Sequence, residues 1–288
     1  MSGQAITHAL SFDIEDWFHM VEIDAVSDPT EWDRMPSIVE RETEWILSTL
    51  EAAGVQATFF VLGWIAQKYP ALVKSIADAN HEVSSHSFWH RRVDLMSRDE
   101  FVSDLRDSLT AIRESGVEHC PGYRAPTFSI VPGVEWAIDE LIDMGFEYDA
   151  SLFPVPREHG GYPCPRDPHT CQIAPSGRSI PELPMSVMKI GPKTTGFSGG
   201  GFFRLFPRQI IRRGFDQSER AGRPVVVYMH PRDFAPDTPR VPMSPVRKFK
   251  CYVGLKSARD KFRWMLDRWA FGTCSQAIEA YVCEANRD

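Results

Sequence analysis

No stretch of the 288-residue sequence approaches the roughly 20 consecutive apolar residues that a membrane span needs, so none is expected. The opening residues carry no basic segment followed by an apolar stretch of roughly 7–15 residues, so a secretory leader is not expected either. Lys/Arg-rich runs are also missing. Lys plus Arg number 32 against 39 Asp plus Glu, a net charge of −7, which argues against a nucleic-acid partner. The six cysteines form no CxxC pair and lack zinc-finger spacing. Without a leader, reduced thiols and a cytoplasmic location are expected. Internal repeats and low-complexity segments are absent too.

What is present is ordinary globular composition, 43% hydrophobic and 25% charged, at a length that allows either one large α/β domain or two smaller ones. Short β-rich runs alternate with helical windows along the chain. Residues 8–13 alternate like a strand, and Pro36-Ser37 opens a helix that Gly54 ends. Residues 57–62 form a continuous apolar run suited to a strand covered on both faces. A helical window at 64–79 is interrupted by Pro70. After a short strand at 82–85, Ser97 and Glu100 form a capping-box pattern ahead of a helix bearing Phe101, Leu105, Leu109 and Ile112. Strands at 122–124 and 146–149 flank a helix at 134–144. Residues 153–201, rich in proline and glycine, read as long loops. A helix at 207–221, the strongly strand-like run 224–229 and a helix at 254–269 complete the pattern. Six or seven strands with intervening helices predict an α/β fold, a parallel barrel rather than an open sheet.

Polar residues gather at the carboxyl ends of those strands: Asp13, Glu15 and Asp16, then His86 and His90, then Arg124, Asp149 and His230. In a parallel barrel such ends face one mouth, where active sites lie. His86 and His90, four residues apart, would share a face on a helical turn. With a carboxylate from 13–16 they make two imidazoles and one carboxylate with open positions, the donor set of a catalytic divalent metal. Zinc suits it, as do cobalt, nickel and iron. An unligated carboxylate beside the metal can act as general base, and a later histidine can protonate a leaving group. Arg124 can orient the base carboxylate and lower its pKa.

In these residues the chain resembles the polysaccharide deacetylase family (the NodB-homology carbohydrate esterases), metal-dependent enzymes that remove acetyl groups from sugars. Ser11-Phe12-Asp13-Ile14-Glu15-Asp16 stands where that family has Thr-Phe-Asp-Asp. Ser85-His86-Ser87-Phe88-Trp89-His90 resembles its His-Ser/Thr-x-x-x-His motif with one residue fewer between the histidines. Arg124-Ala125-Pro126, Asp149-Ala150-Ser151 and Tyr228-Met229-His230 resemble its remaining motifs in order. The resemblance implies a distorted (β/α) barrel of about seven parallel strands. It implies Asp13 as general base, His86 and His90 as metal ligands, and Arg124 orienting Asp13. Asp149 would support the site from behind, His230 would be the general acid, and the backbone N–H of Thr127 would complete an oxyanion hole. The third ligand is Asp16, which keeps the usual residue type, or Glu15, which lies on the same side of an extended strand as Asp13; Asp16 is favoured.

The opening motif, the 196–206 segment and the tail resemble a narrower group linked to exopolysaccharide assembly. That likeness implies a catalytic barrel over 1–238, a C-terminal extension over 239–288 packed on it, and a substrate built on N-acetylhexosamine. Trp17, Phe88, Trp89, Phe128, Phe202 and Phe203 are candidates to stack on a sugar ring. Two alternatives remain: hydrolysis of another non-peptide C–N bond, allantoinase- or deformylase-like, and a sugar-binding relative without chemistry.

Overall fold

The computed structural model describes residues 6–21 and 23–285 of the chain. Its centre is β1 (His8–Ile14), buried along its whole length and paired on both sides. A strand covered on both faces must be apolar at alternate and intervening positions alike, and Ala9, Leu10, Phe12 and Ile14 supply that. On one side β1 pairs in parallel with β2 (Thr58–Val61), followed by β3 (Glu82–Ser85), β4 (Gly122–Tyr123) and β5 (Tyr148–Asp149). β6 (His169–Cys171) and β7 (Ile180–Glu182) form the far edge, β7 parallel to β5 and β6 antiparallel to β7. A separate hairpin joins β8 (Val187–Ile190) to β9 (Lys193–Gly196). On its other side β1 pairs with β10 (Val226–Met229). Seven neighbouring strands therefore run parallel in the order β10-β1-β2-β3-β4-β5-β7, curled into a half-barrel.

Helices cover the outside of the sheet, as right-handed parallel crossovers require. α1 (Val39–Ala53) ends on Gly54 at φ 62°. α2 (Gly63–Lys68) and α3 (Pro70–Asp78) are split at Pro70, which opens the second. α4 (Arg98–Glu114) starts on the expected capping box of Ser97 and Glu100. α5 (Trp136–Asp143), α6 (Gly200–Leu205) and α7 (Arg208–Glu219) follow. Residues 153–201 differ from the loop-only expectation. The proline-broken runs still form β6 to β9, because pairing with β5 and with each other supplies the periodicity that the isolated segments lack.

Residues 239–285 pack into the same body. They form α8 (Pro245–Tyr252), α9 (Leu255–Leu266), β11 (Phe271–Gly272) and α10 (Cys274–Ala285). β11 pairs in parallel with His8 and Ala9, ahead of the point where β2 begins to pair. α9 buries Phe262 and Met265 in the main core. Among the described residues no helix is long and apolar enough to cross a membrane, and Cys120, Cys164, Cys171, Cys251 and Cys274 are free thiols.

Candidate active site

Parallel strands put their carboxyl ends at one mouth, and the carboxylates arrive there from β1. Ser11 and Asp13 lie two apart, on one side of the strand, facing the barrel interior. Asp13 Oδ1 accepts from Arg124 Nη1 at 2.7 Å, and the same nitrogen donates to Ser11 Oγ at 2.9 Å. Arg124 is fully buried, its guanidinium 3.9 Å from the centre of the Phe60 ring. Burial pushes the Asp13 carboxyl up, but the charges of Arg124, His86 and His230 outweigh it and hold Asp13 below its ordinary value. Glu15 follows on the same side. Burial raises its carboxyl too, yet His90, Arg232 and His230 bring it well below the usual range.

Asp16 points the other way, which corrects the expectation that it is the favoured ligand. Its carboxylate accepts the N–H groups of Trp17 (2.8 Å), Ile38 (3.0 Å) and Val39 (3.2 Å) and the Ser37 hydroxyl. Those bonds anchor the start of α1 and occupy both oxygens. The alternation of the extended chain accounts for this placement, since residues 13 and 15 share a side and 16 does not.

His86 and His90 do not sit on a helical turn, a second correction. Residues 86–92 are a loop with Ser87 at φ 66° and His90 at φ 55°, a left-handed conformation that side-chain-bearing residues rarely adopt. Asp104 of α4 holds it, accepting the N–H groups of Phe88 (2.7 Å) and Trp89 (3.1 Å). His86 Nδ1 lies 2.8 Å from the Arg124 carbonyl, which can only accept, so Nδ1 carries the hydrogen and Nε2 is bare. Burial pulls the His86 pKa down to about 4, leaving the ring neutral. His90 Nε2 lies 2.7 Å from Glu15 Oε2.

One ligand atom each from Glu15, His86 and His90 fall within 4.8 Å of one another, all three residues buried. His90 Nδ1 has no hydrogen-bond partner among the described residues. Buried polar atoms left unsatisfied cost stability unless a partner arrives, and two imidazoles with one carboxylate fit a divalent transition metal.

His230 closes the site from β10. Its Nδ1 and backbone N–H both meet Asp233 Oδ2, at 3.0 and 2.9 Å, while Nε2 stands 3.7 Å from Asp13 Oδ2 and from Glu15 Oε1. Burial lowers the His230 pKa, but the hydrogen bond and charge of Asp233 outweigh it and raise the net value. Asp233 Oδ1 accepts in turn from Arg204 Nε at 2.8 Å. Arg204 donates its remaining nitrogens to the carbonyls of Val253 and, at 3.1 Å, Lys250. A Cβ on Gly200 would fall 2.2 Å from Asp233 Oδ2, and one on Gly254 (φ 71°) 2.3 Å from the Arg204 carbonyl, so both close approaches require glycine.

Asp149 is placed behind this layer. It accepts from Ser151 Oγ at 2.5 Å, and Ser151 Oγ accepts the Ala125 N–H at 2.8 Å, bracing the Arg124–Pro126 turn. Asp149 faces Glu182 of β7. Burial raises both carboxyls, Asp149 to about 6 and Glu182 well above its ordinary value, so the pair retains a proton. Thr127 lines the mouth at φ 56°. Of the five non-glycine residues at positive φ among the described residues, Ser87, His90, Thr127 and Phe128 lie in two segments beside the candidate chemistry, and Asn80 lies apart from them.

Asp13, Glu15, His86, His90, Thr127 and His230 line one cavity of about 540 Å³. Phe128 and Phe202 also line it, whereas Trp17, Phe88 and Phe203 are core and Trp89 is 38% exposed. Sequence reasoning missed Asp104, Glu182, Arg204 and Asp233. Asp104 left a readable signal, a carboxylate on the apolar stripe of α4 between Phe101 and Leu105.

Residues 30–144 match the polysaccharide deacetylase family model, and residues 150–279 match a domain of unknown function (DUF3473). A peptidoglycan-N-acetylglucosamine deacetylase of Bacillus cereus is 39% identical over 63 residues, 22% of this chain and 23% of the relative. The matched segment thus spans under a quarter of that relative's length. Among solved structures, a Mycobacterium smegmatis protein assigned to the polysaccharide deacetylases aligns with TM-score 0.65 and 23% identity, over 99% of this chain and 92% of that one. The allantoinase PuuE aligns with TM-score 0.63 and 14% identity over 97% and 91%, a likeness of fold alone. The adjoining matches, together with the half-barrel that carries them, make the chain similar to the NodB-type polysaccharide deacetylases, the family model matching residues 30–144.

Proposed function

We propose that the chain is a metal-dependent hydrolase that removes N-acetyl groups from N-acetylhexosamine units of a glycan. The observation that carries this reading is the convergence, in one cavity, of the Glu15–His86–His90 donor set, an arginine-held carboxylate at Asp13 and an aspartate-held imidazole at His230. A divalent cation held by Glu15, His86 and His90 would polarise the acetyl carbonyl and acidify water, zinc being the favoured ion and cobalt, nickel and iron the others that suit this set.

The protein's own groups divide the proton transfers. Asp13, kept ionised by Arg124, takes the proton of the attacking water as the C–O bond forms. The N–H of Thr127 faces the negative charge that develops on the carbonyl oxygen. His230, its Nδ1 hydrogen committed to Asp233, carries its transferable proton on Nε2 and gives it to the sugar nitrogen as the C–N bond breaks. Acetate and a free amine leave. The peptidoglycan deacetylase relative supports an N-acetylglucosamine-type substrate, and the narrower group points to exopolysaccharide. The test is acetate release from N-acetylated chitooligosaccharides by the metal-loaded protein. Release abolished by chelation and restored by added metal is expected, and no release with any of the four metals contradicts the reading.

A further inference from the structure

The cavity has a second chemical character away from the donor set. Arg157 from the loop after β5, Arg232 after β10, and Arg247 and Lys250 from α8 all line it. Arg157 meets no carboxylate among the described residues. Its guanidinium lies 4.4 Å from the Phe153 ring and 5.2 Å from the Phe128 ring, and it donates to the Tyr228 hydroxyl at 3.2 Å. Arg232 comes no nearer than 3.6 Å to a carboxylate, Glu15 Oε1, and its Nε is buried without a hydrogen bond. The carboxylates lining the cavity are Asp13, Glu15, Asp233 and Glu158. Three of these belong to the inner site, so Glu158, 3.2 Å from Lys250 Nζ, stands alone on the outer wall. Residues 239–269, which supply α8, hold nine basic and two acidic residues in a chain whose net charge is −7. Basic groups thus outnumber carboxylates on the outer wall, which favours an anion there.

We propose that this wall is a subsite for an anionic substituent of the glycan, a phosphate or a carboxylate adjoining the N-acetylhexosamine unit held at the inner site. The proposal rests on the deacetylase reading and narrows its substrate class from N-acetylated glycans to anionic ones. Guanidinium groups recognise the oxygens of both anions through paired N–H donors, and a neutral sugar would leave Arg157 and Arg232 without that match. Phe249, 57% exposed on α8, and Leu205, 44% exposed on α6, add apolar surface at the same mouth for a sugar face.

The test compares three probes on metal-loaded protein at low salt: N,N′-diacetylchitobiose, N-acetylglucosamine 1-phosphate and an N-acetylglucosaminyl-glucuronate disaccharide. Equilibrium binding by calorimetry is measured alongside acetate release. At least one anionic probe should bind ten-fold or more tighter than the neutral one, with the gain in KM rather than kcat and erased near 0.5 M salt. Preference for the phosphate or for the uronate identifies the anion. Arg157→Gln combined with Arg247→Gln should bring the anionic-to-neutral ratio within three-fold of one, with unchanged thermal melting as the check on folding. Glu158→Gln should move the ratio the opposite way. Equal binding of all three probes to the wild type overturns the subsite while leaving deacetylation standing. Anion-selective binding with no acetate released from any probe keeps the subsite and overturns the deacetylase reading.

Discussion

Asp13, Glu15 and Asp16 fall within four consecutive positions yet divide into three tasks, each set by what surrounds the carboxylate. Asp13 is held by a buried guanidinium, Glu15 faces two imidazoles, and Asp16 is consumed by backbone N–H groups at the start of α1. Glu15→Gln is therefore expected to lose bound metal and activity together. Asp16→Ala is expected to retain metal and lose stability instead, by about 1–2 kcal/mol on the scale of lost helix caps or somewhat more, since both oxygens are engaged. Metal analysis and thermal melting of the two variants separate these outcomes, and metal loss in Asp16→Ala alone would reverse the ligand assignment. His230→Ala should keep its metal and lose roughly 10²–10⁴-fold in kcat, the usual worth of a general acid. Equal rates in that variant and the parent would remove His230 from the reaction.

Two short elements hold these residues, and both are fixed by partners remote in sequence. The 86–92 loop takes its left-handed turns because Asp104 accepts two of its N–H groups. His230 takes its orientation from Asp233, Asp233 from Arg204, and Arg204 from carbonyls at the end of α8. Arg204→Met leaves Asp233 short of a buried charge partner, and kcat should fall while metal content holds. Arg204→Lys should recover less than the full rate, because an ammonium cannot reach Asp233 and two carbonyls in the same plane. A kcat unchanged in Arg204→Met would dismiss the relay. Much of the element plan was legible from sequence: the 98–114 helix from its capping box, the break at Pro70, the end at Gly54, and the strands on either side. The 86–90 spacing misled because four-residue periodicity says helix only where the backbone stays right-handed. The strands of 153–201 were hidden because they are three or four residues long and owe their form to neighbours.

Across the whole molecule, a parallel sheet turns strand ends dispersed from residue 13 to residue 230 into one mouth, which is why ordered short motifs could be read as a site at all. The contribution of the tail could not be read that way. β11 pairs with β1, Arg259 reaches the buried Glu42 at 2.6 Å, and Lys261 Nζ donates to the carbonyls of Phe203, Arg204 and Phe206. A chain ending at 238 loses all of these and should fail to give a cooperative melt. The Asp149–Glu182 pair sets a pH dependence for the fold. Its folded-state pKa values lie above the ordinary 3.8 and 4.5, so its stabilising contribution is full below about 4 and is lost as pH rises through 6 and beyond. Glu182→Gln should flatten that fall of stability with rising pH in melts between pH 5 and 8, and an unchanged slope would contradict it. The central claim, a catalytic metal held by Glu15, His86 and His90, is tested most directly by the metal content of wild type and His86→Ala purified without added metal. About one transition metal per wild-type chain, absent from a folded His86→Ala, is the expected result. A wild type that contains none and takes up none when zinc, cobalt, nickel or iron is offered would contradict it.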